Sequence, residues 1–397
     1  MKKHTETTLL WILVALLALG QLGRMAFSPT SLLYPHDILI AFWTLFLLLS
    51  NLRMVPDSGT AFYLKIRKKY SHFTPFAAVA LLTFAAAQLQ QPQLLPALYL
   101  GRVGLYLLFG ITLAHFSRLS RTMIERALLS LTFLLMLLGF LQLMFVPDTR
   151  FLYVLGFDDH YYRIISTQLD PAYAGALLLL LGIFTWHSPL LVKYSRLRSG
   201  ILSLIFFGIG LTFSRATYVA TAIVALFIWF SQNKKTSTKT VLKKGLIGLT
   251  IAAVVLLLSQ IWTGEGTRLL RTASLQARVR TAQSHFPQNT REWLVGEGLF
   301  YSAVSKTTTH GLASIPNQAK FPDSFFLLIL EGTGIAGLLT FLYLLVKGYS
   351  TIAKKNQLIL ELGLAALVLG QFNNTILQPF VLVASIVITV WTLKEYR

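Results

Sequence analysis

The feature that most limits what this chain can fold into is the recurrence, from one end to the other, of uninterrupted apolar runs such as "PAYAGALLLLLG" from Pro171 to Gly182. A bilayer core is crossed by roughly 17 to 25 apolar residues in helix, because backbone polar groups in lipid must be satisfied within the segment. Such runs lie near residues 9–27, 37–52, 75–90, 95–116, 127–146, 171–187, 200–214, 216–231, 245–262, 324–346, 357–373 and 376–392. The expected fold is therefore all-α: one transmembrane domain over residues 1–397 with about twelve spanning helices. With 55% of residues hydrophobic and 13% charged, little is left for a soluble domain. The start, "MKKHTETTLLWILVALLALGQLGRMAF", has the basic-then-apolar layout of a signal peptide but no small-x-small cleavage site, so it reads as a retained first span.

The formal net charge of +20 raises nucleic acid as a partner, but the basic residues fall in short linkers between apolar runs, as membrane topology places them. The linkers "LKIRKKY", "SRLSRTMIER", "KYSRLR", "NKKTSTKTVLKK" and "AKKNQ" alternate with uncharged ones such as "QQPQLLP". Assigning the basic set to the cytoplasm leaves both termini inside and no nucleic-acid role. Two segments then lie outside, residues 147–170 and a long extracytoplasmic loop, 263–322, between helices 9 and 10. That loop carries Arg268, Arg271, Arg278, Arg280 and Arg291. Long loops escape the charge rule, so these arginines are either merely solvated or hold an anionic ligand, since guanidinium forks match phosphate oxygens.

Charges within or at the lip of a span are costly, and so mark candidate functional residues. Arg215 separates two apolar runs in a tight outer hairpin, either snorkelling to headgroups or presenting a cation to an outward cavity. Arg102 sits deeper and calls for a carboxylate or lipid-phosphate partner. Arg24 reads as an interfacial anchor. Asp170, before Pro171, suits a helix cap. Glu331 needs a partner, for which Arg102 is one candidate. Glu297, between Gly296 and Gly298, orients an arginine, contacts sugar or simply turns the chain. The outer His160, His285 and His310 lack metal-ligand spacing, cysteine is absent, and neither a phosphate loop nor a D-x-D pair occurs, so no metal and no cofactor are expected.

Four stretches in order carry a family likeness. They are "YYRIISTQLDPAYAGALLLLLG", "GIGLTFSRATYVATAIVALF", "ARVRTAQSHFPQNTREWLVGEGLF" and "FPDSFFLLILEGTGIAGLL", spanning Tyr161 to Leu339. Together they resemble the O-antigen ligase and polymerase superfamily, in which arginines precede a late helix that opens on His or Asp and runs to G-x-x-G. Ser166 stands where that family usually has glycine. Asp323, where the ligases have histidine, makes the chain look most like a Wzy-type polymerase, and also echoes the aspartate-led helix of SEDS peptidoglycan polymerases.

The resemblance implies a GT-C-like glycosyltransferase in a bacterial inner membrane. It would transfer glycan from a polyprenyl-pyrophosphate carrier to a sugar hydroxyl of another lipid-linked repeat unit, on the outer face. Partners would be that lipid-linked oligosaccharide, membrane lipid and a chain-length regulator. Arg215, Arg163 and one of Arg278 or Arg280 would bind the leaving pyrophosphate without a metal. Asp323 would be the general base, alongside a helix-capping role that the same carboxylate could fill. Arg291, Glu297, Arg102 and Glu331 would bind substrate or hold structure. Transfer to lipid A core by a ligase, and a non-enzymatic lipid-linked sugar transporter, are the competing readings.

Overall fold

The computed structural model describes residues 2–26, 32–52, 71–155, 157, 160–232, 273–302, 321–351 and 356–394. These are 84% helical. The long helices are α1 (Lys2–Leu19), α2 (Pro35–Leu52), α3 (Thr74–Gln90), α4 (Leu94–Phe116), α5 (Arg121–Phe145), α6 (Pro171–His187), α7 (Ser195–Leu211) and α8 (Arg215–Gln232). After them come α9 (Ala273–His285), α10 (Thr290–Val295), α11 (Phe325–Thr351), α12 (Gln357–Phe372) and α13 (Pro379–Leu393). Each apolar run read from the sequence coincides with one of these helices, except 245–262, which lies outside the described residues. The linkers 64–70 and 233–244, most of 353–357, and Arg268, Arg271 and His310 also lie outside them. Between α1 and α2 stands a two-stranded antiparallel ribbon, Met25–Ala26 with Leu32–Leu33.

Among the described residues, five helices are long and apolar enough to cross a membrane: Lys3–Gly23, Ser71–Gln90, Leu94–Phe116, Arg121–Phe145 and Phe325–Thr351. Shorter apolar helices, α2, α6, α8, α12 and α13, pack among them. The surface is consistent with a membrane-embedded protein, because Phe42, Leu45, Leu82, Phe133 and Phe230 are large apolar side chains left exposed on these helices. α6 is apolar on every face and buried along almost its whole length, as expected of a helix with no lipid- or water-facing stripe. At its end Phe184 meets Trp391 of α13 edge-on at 5.0 Å.

Local signals start the helices. Asp170 Oδ1 accepts from the amides of Ala172 (2.7 Å) and Tyr173 (3.0 Å), with Pro171 in the first turn of α6. Gln378 caps α13 in the same way, and on α10 Asn289 Oδ1 accepts from Glu292 N while Glu292 Oε2 accepts from Gln288 N.

Polar contacts collect at two opposite ends of the helices. At one, Glu6 accepts from Ser117 Oγ (2.5 Å), Glu125 from Ser188 Oγ (2.5 Å), Lys394 donates to the Ser117 carbonyl (3.0 Å), and His187 meets Glu361 at 2.8 Å. This is the end that holds the basic linkers 117–126 and 193–198. At the other, Thr167 donates to Ala18, Arg163 to the turn before α8, and Arg291 to Gln90. The two described basic linkers thus share one end in space.

The expected loop 263–322 is partly helical. Its described middle, residues 273–302, folds as α9 and α10 and packs on α11. α11 is broken at Gly334 (φ 64, ψ −169), and the chain after α10 lies across the break. There Glu297 N donates to Glu331 O (2.8 Å) and Gly298 N to Gly332 O (3.0 Å). These amides satisfy carbonyls that a broken helix leaves without partners. A Cβ on Gly334 would lie 2.4 Å from Leu294 O, so only glycine allows both the left-handed φ and the close approach. The end of α10, at Leu294 and Val295, is what approaches Gly334, and the backbone after it, at Leu299, approaches Gly332.

Candidate site at Asp323, Arg278 and Arg215

Asp323 precedes α11 by two residues and is held from both sides. Asn374 Nδ2 donates to the Pro322 carbonyl, and Ser324 Oγ donates to Gln371 Oε1 at 3.3 Å, so the end of α12 fixes the segment carrying the carboxylate. Ser324 occupies the cap position, its Oγ accepting from Leu327 N at 3.4 Å. The capping job expected of Asp323 therefore falls to its neighbour. Phe321 packs edge-on to Tyr99 (5.1 Å) and Phe300 (5.9 Å), closing the other flank.

α9 brings Arg278 to this carboxylate, with Nε 3.8 Å from Asp323 Oδ2 and both side chains part-exposed, at 37% and 26%. Arg215, the first residue of α8, is half-buried and close enough to Arg278 for their like charges to interact. The Arg215 charge thus lies within electrostatic range of Arg278, the guanidinium that meets Asp323. Two cations kept near each other repel unless an anion lies between or beside them, so the cluster is suited to a multiply charged oxyanion.

Arg163 lies beneath the hairpin that presents Arg215. It is 4% exposed. Its Nε donates to the Thr212 carbonyl (2.9 Å) and its Nη2 to that of Phe213 (3.1 Å), while Nη1 meets His160 Nδ1 at 3.4 Å. A guanidinium directed at backbone carbonyls positions the hairpin, whatever else contacts it. Arg280, two residues after Arg278, is exposed on a different side of α9. Arg291 donates to Gln90 Oε1 (2.8 Å) on the exposed surface. Glu297 is exposed, and its amide is one of the bonds across the α11 break. Arg24 lies over the Phe157 ring at 4.5 Å.

The pairing considered for Glu331 and Arg102 does not occur. Arg102 Nη2 meets Asp37 Oδ2 at 3.0 Å and also donates to the Leu32 carbonyl. Asp37 accepts in addition from Tyr34 N (2.9 Å) and from the Tyr106 hydroxyl. Glu331 pairs instead with His285, Oε1 to Nδ1 at 2.6 Å. Long-range pairing within helices of similar hydropathy decides these partners, and the sequence carries no mark of it. The contributions of Asp37, His285, Gln371 and Asn374 were missed for that reason; an acidic residue in the first turn of α2 was the one available signal.

The chain matches no protein-family model and no curated protein.

Proposed function

We propose that the chain is a membrane glycosyltransferase that polymerises lipid-linked oligosaccharide, with Asp323 as general base and Arg215 and Arg278 as the pyrophosphate clamp. The observation that carries the reading is the approach of Arg278 to Asp323 with the Arg215 charge beside it. Glycosyl transfer from a lipid pyrophosphate needs those two opposite charges in one place. The anomeric C–O bond breaks with its electron pair passing to the diphosphate, whose negative charge grows. Fixed guanidinium groups bind that state more tightly than the ground state. The acceptor hydroxyl forms the new glycosidic bond, and its proton passes to the Asp323 carboxylate. One base and one displacement give inversion at the anomeric carbon.

Arg163 serves this reaction by holding the Thr212–Ser214 turn, so that Arg215 points at the site. The aspartate at 323, where ligases of the resembled superfamily have histidine, favours joining of repeat units over transfer to lipid A core. The apolar helices around the site suit a polyprenyl donor that arrives through the bilayer. On the positive-inside reading, the site lies at the extracytoplasmic end of an inner-membrane protein.

The deciding experiment incubates the purified protein with a defined polyprenyl-pyrophosphoryl repeat unit and reads a gel ladder. A ladder of repeat lengths supports the proposal. Transfer only to an added lipid A core acceptor supports the ligase reading, and translocation without any bond formed supports the transporter.

A further inference from the structure

We propose that His285 is a positioning residue for this site: through Glu331 it clamps the helix bearing Arg278 to the helix that follows Asp323. The functional part of this inference rests on the reading above; the clamp itself does not.

Arg278 and His285 are seven residues apart on α9, close to two full turns, so they share one face. Asp323 and Glu331 are eight apart, at the lip of α11 and two turns further along. The pairs Arg278–Asp323 (3.8 Å) and His285–Glu331 (2.6 Å) therefore form two rungs between segments running in the same direction, about 10 Å apart at 1.5 Å per residue. The outer rung is part-exposed and loose. The inner one is shut away: the His285 side chain is 0% exposed and that of Glu331 9%.

Among the described residues, His285 Nε2 and Glu331 Oε2 have no further hydrogen bond, so there each side chain depends on the other for the one bond it makes. A buried polar pair with no other partner resists being pulled apart, because separation leaves both groups unsatisfied. Its location adds to this. Glu331 O also accepts the Glu297 amide, next to the Gly334 break, so the inner rung joins α9 where α11 is already gripped by the chain after α10. The other rung cannot fix Arg278 alone, since a part-exposed pair at 3.8 Å leaves a long side chain room to move.

Two measurements test this. The chain has no cysteine, so spin labels on Val279→Cys and Phe372→Cys, both exposed, report the distance from α9 to the end of α12 without activity being needed. A narrow distribution that broadens or shifts in His285→Ala, and is restored in His285→Asn, whose amide can donate to Glu331, is the expected result. An unchanged distribution in His285→Ala overturns the clamp. In the polymerisation assay His285→Ala should lower kcat on the order of a hundredfold with KM little changed. Adding it to Arg278→Ala should then cost nothing further, because it acts through that arginine. Multiplying losses would overturn the positioning role. Should His285→Ala fail to fold, Glu331→Gln, which keeps an acceptor for Nδ1, enters both measurements in its place, with milder broadening and a smaller loss expected. A wild-type protein inert toward the lipid-linked repeat would sink the proposed function, while the label distances would still decide the clamp.

Discussion

The Arg163 guanidinium donates to the carbonyl of Phe213 at 3.1 Å, directly before the turn that presents Arg215, and Phe213 itself has a φ of 48°. A bulky residue in the left-handed region costs of order 1–3 kcal/mol and persists only where its surroundings hold it there. Arg163 supplies that hold, together with the bond from Ile164 N to Leu211 O (2.9 Å).

Arg163→Ala should therefore destabilise the protein as well as impair it. Two buried carbonyls, those of Thr212 and Phe213, would lose a donor, at about 1–3 kcal/mol each. The thermal midpoint in detergent should fall clearly, whereas Arg215→Ala should leave it nearly unchanged. Equal midpoints for the two variants would remove Arg163 from its supporting role.

Asp323→Asn should slow chain extension by about 10²–10⁴ while the protein remains folded, the range expected for a general base. In a complemented knockout, cells should carry a single repeat unit on their surface. Long chains made by this variant would show that the carboxylate takes no proton.

Arg215→Ala should lower the rate by about 10²–10³, as for removal of one charge-stabilising donor. Arg215→Lys should recover only part of it, since an ammonium lacks the fork that grips two phosphate oxygens. Full recovery by lysine would mean that net charge suffices and that a bidentate grip is not used.

Gly334→Ala should be among the most destabilising single changes. The φ of 64° disfavours any Cβ by about 1–3 kcal/mol, and the added methyl would lie 2.4 Å from Leu294 O, so the end of α10 must shift. Protease sensitivity near residues 294–299 reports that shift. Gly348→Ala, with open space around its Cβ position, is the matched control.

Asp37→Leu should cost about 3–5 kcal/mol, because it leaves the Arg102 guanidinium without its carboxylate. The double change with Arg102→Met should recover most of that stability. Its effect on polymerisation, read on the same gel ladder, shows whether this network does more than hold α2 to α4.

The helices were legible in the sequence because a spanning helix is a local property: length, hydropathy and a cap settle it. Pro171 after Asp170 marks the start of α6 without any knowledge of its neighbours. Arg215 and Asp323 stood out for a related reason, since a charge beside an apolar run is conspicuous wherever the run is placed. What only the tertiary structure decided is which charges meet. Arg278 at Asp323, His285 at Glu331 and Asp37 at Arg102 are separated by 45, 46 and 65 residues, and helices of similar hydropathy carry no label for their neighbours. The same holds for the Gly334 break: its glycine is visible in the sequence, but the backbone of Leu294 to Gly298 that fills it arrives from a different part of the chain. Hydropathy acts through contact with lipid or water and so can be summed along a segment. Pairing acts over a few ångströms, and exists only once packing has brought the two partners together.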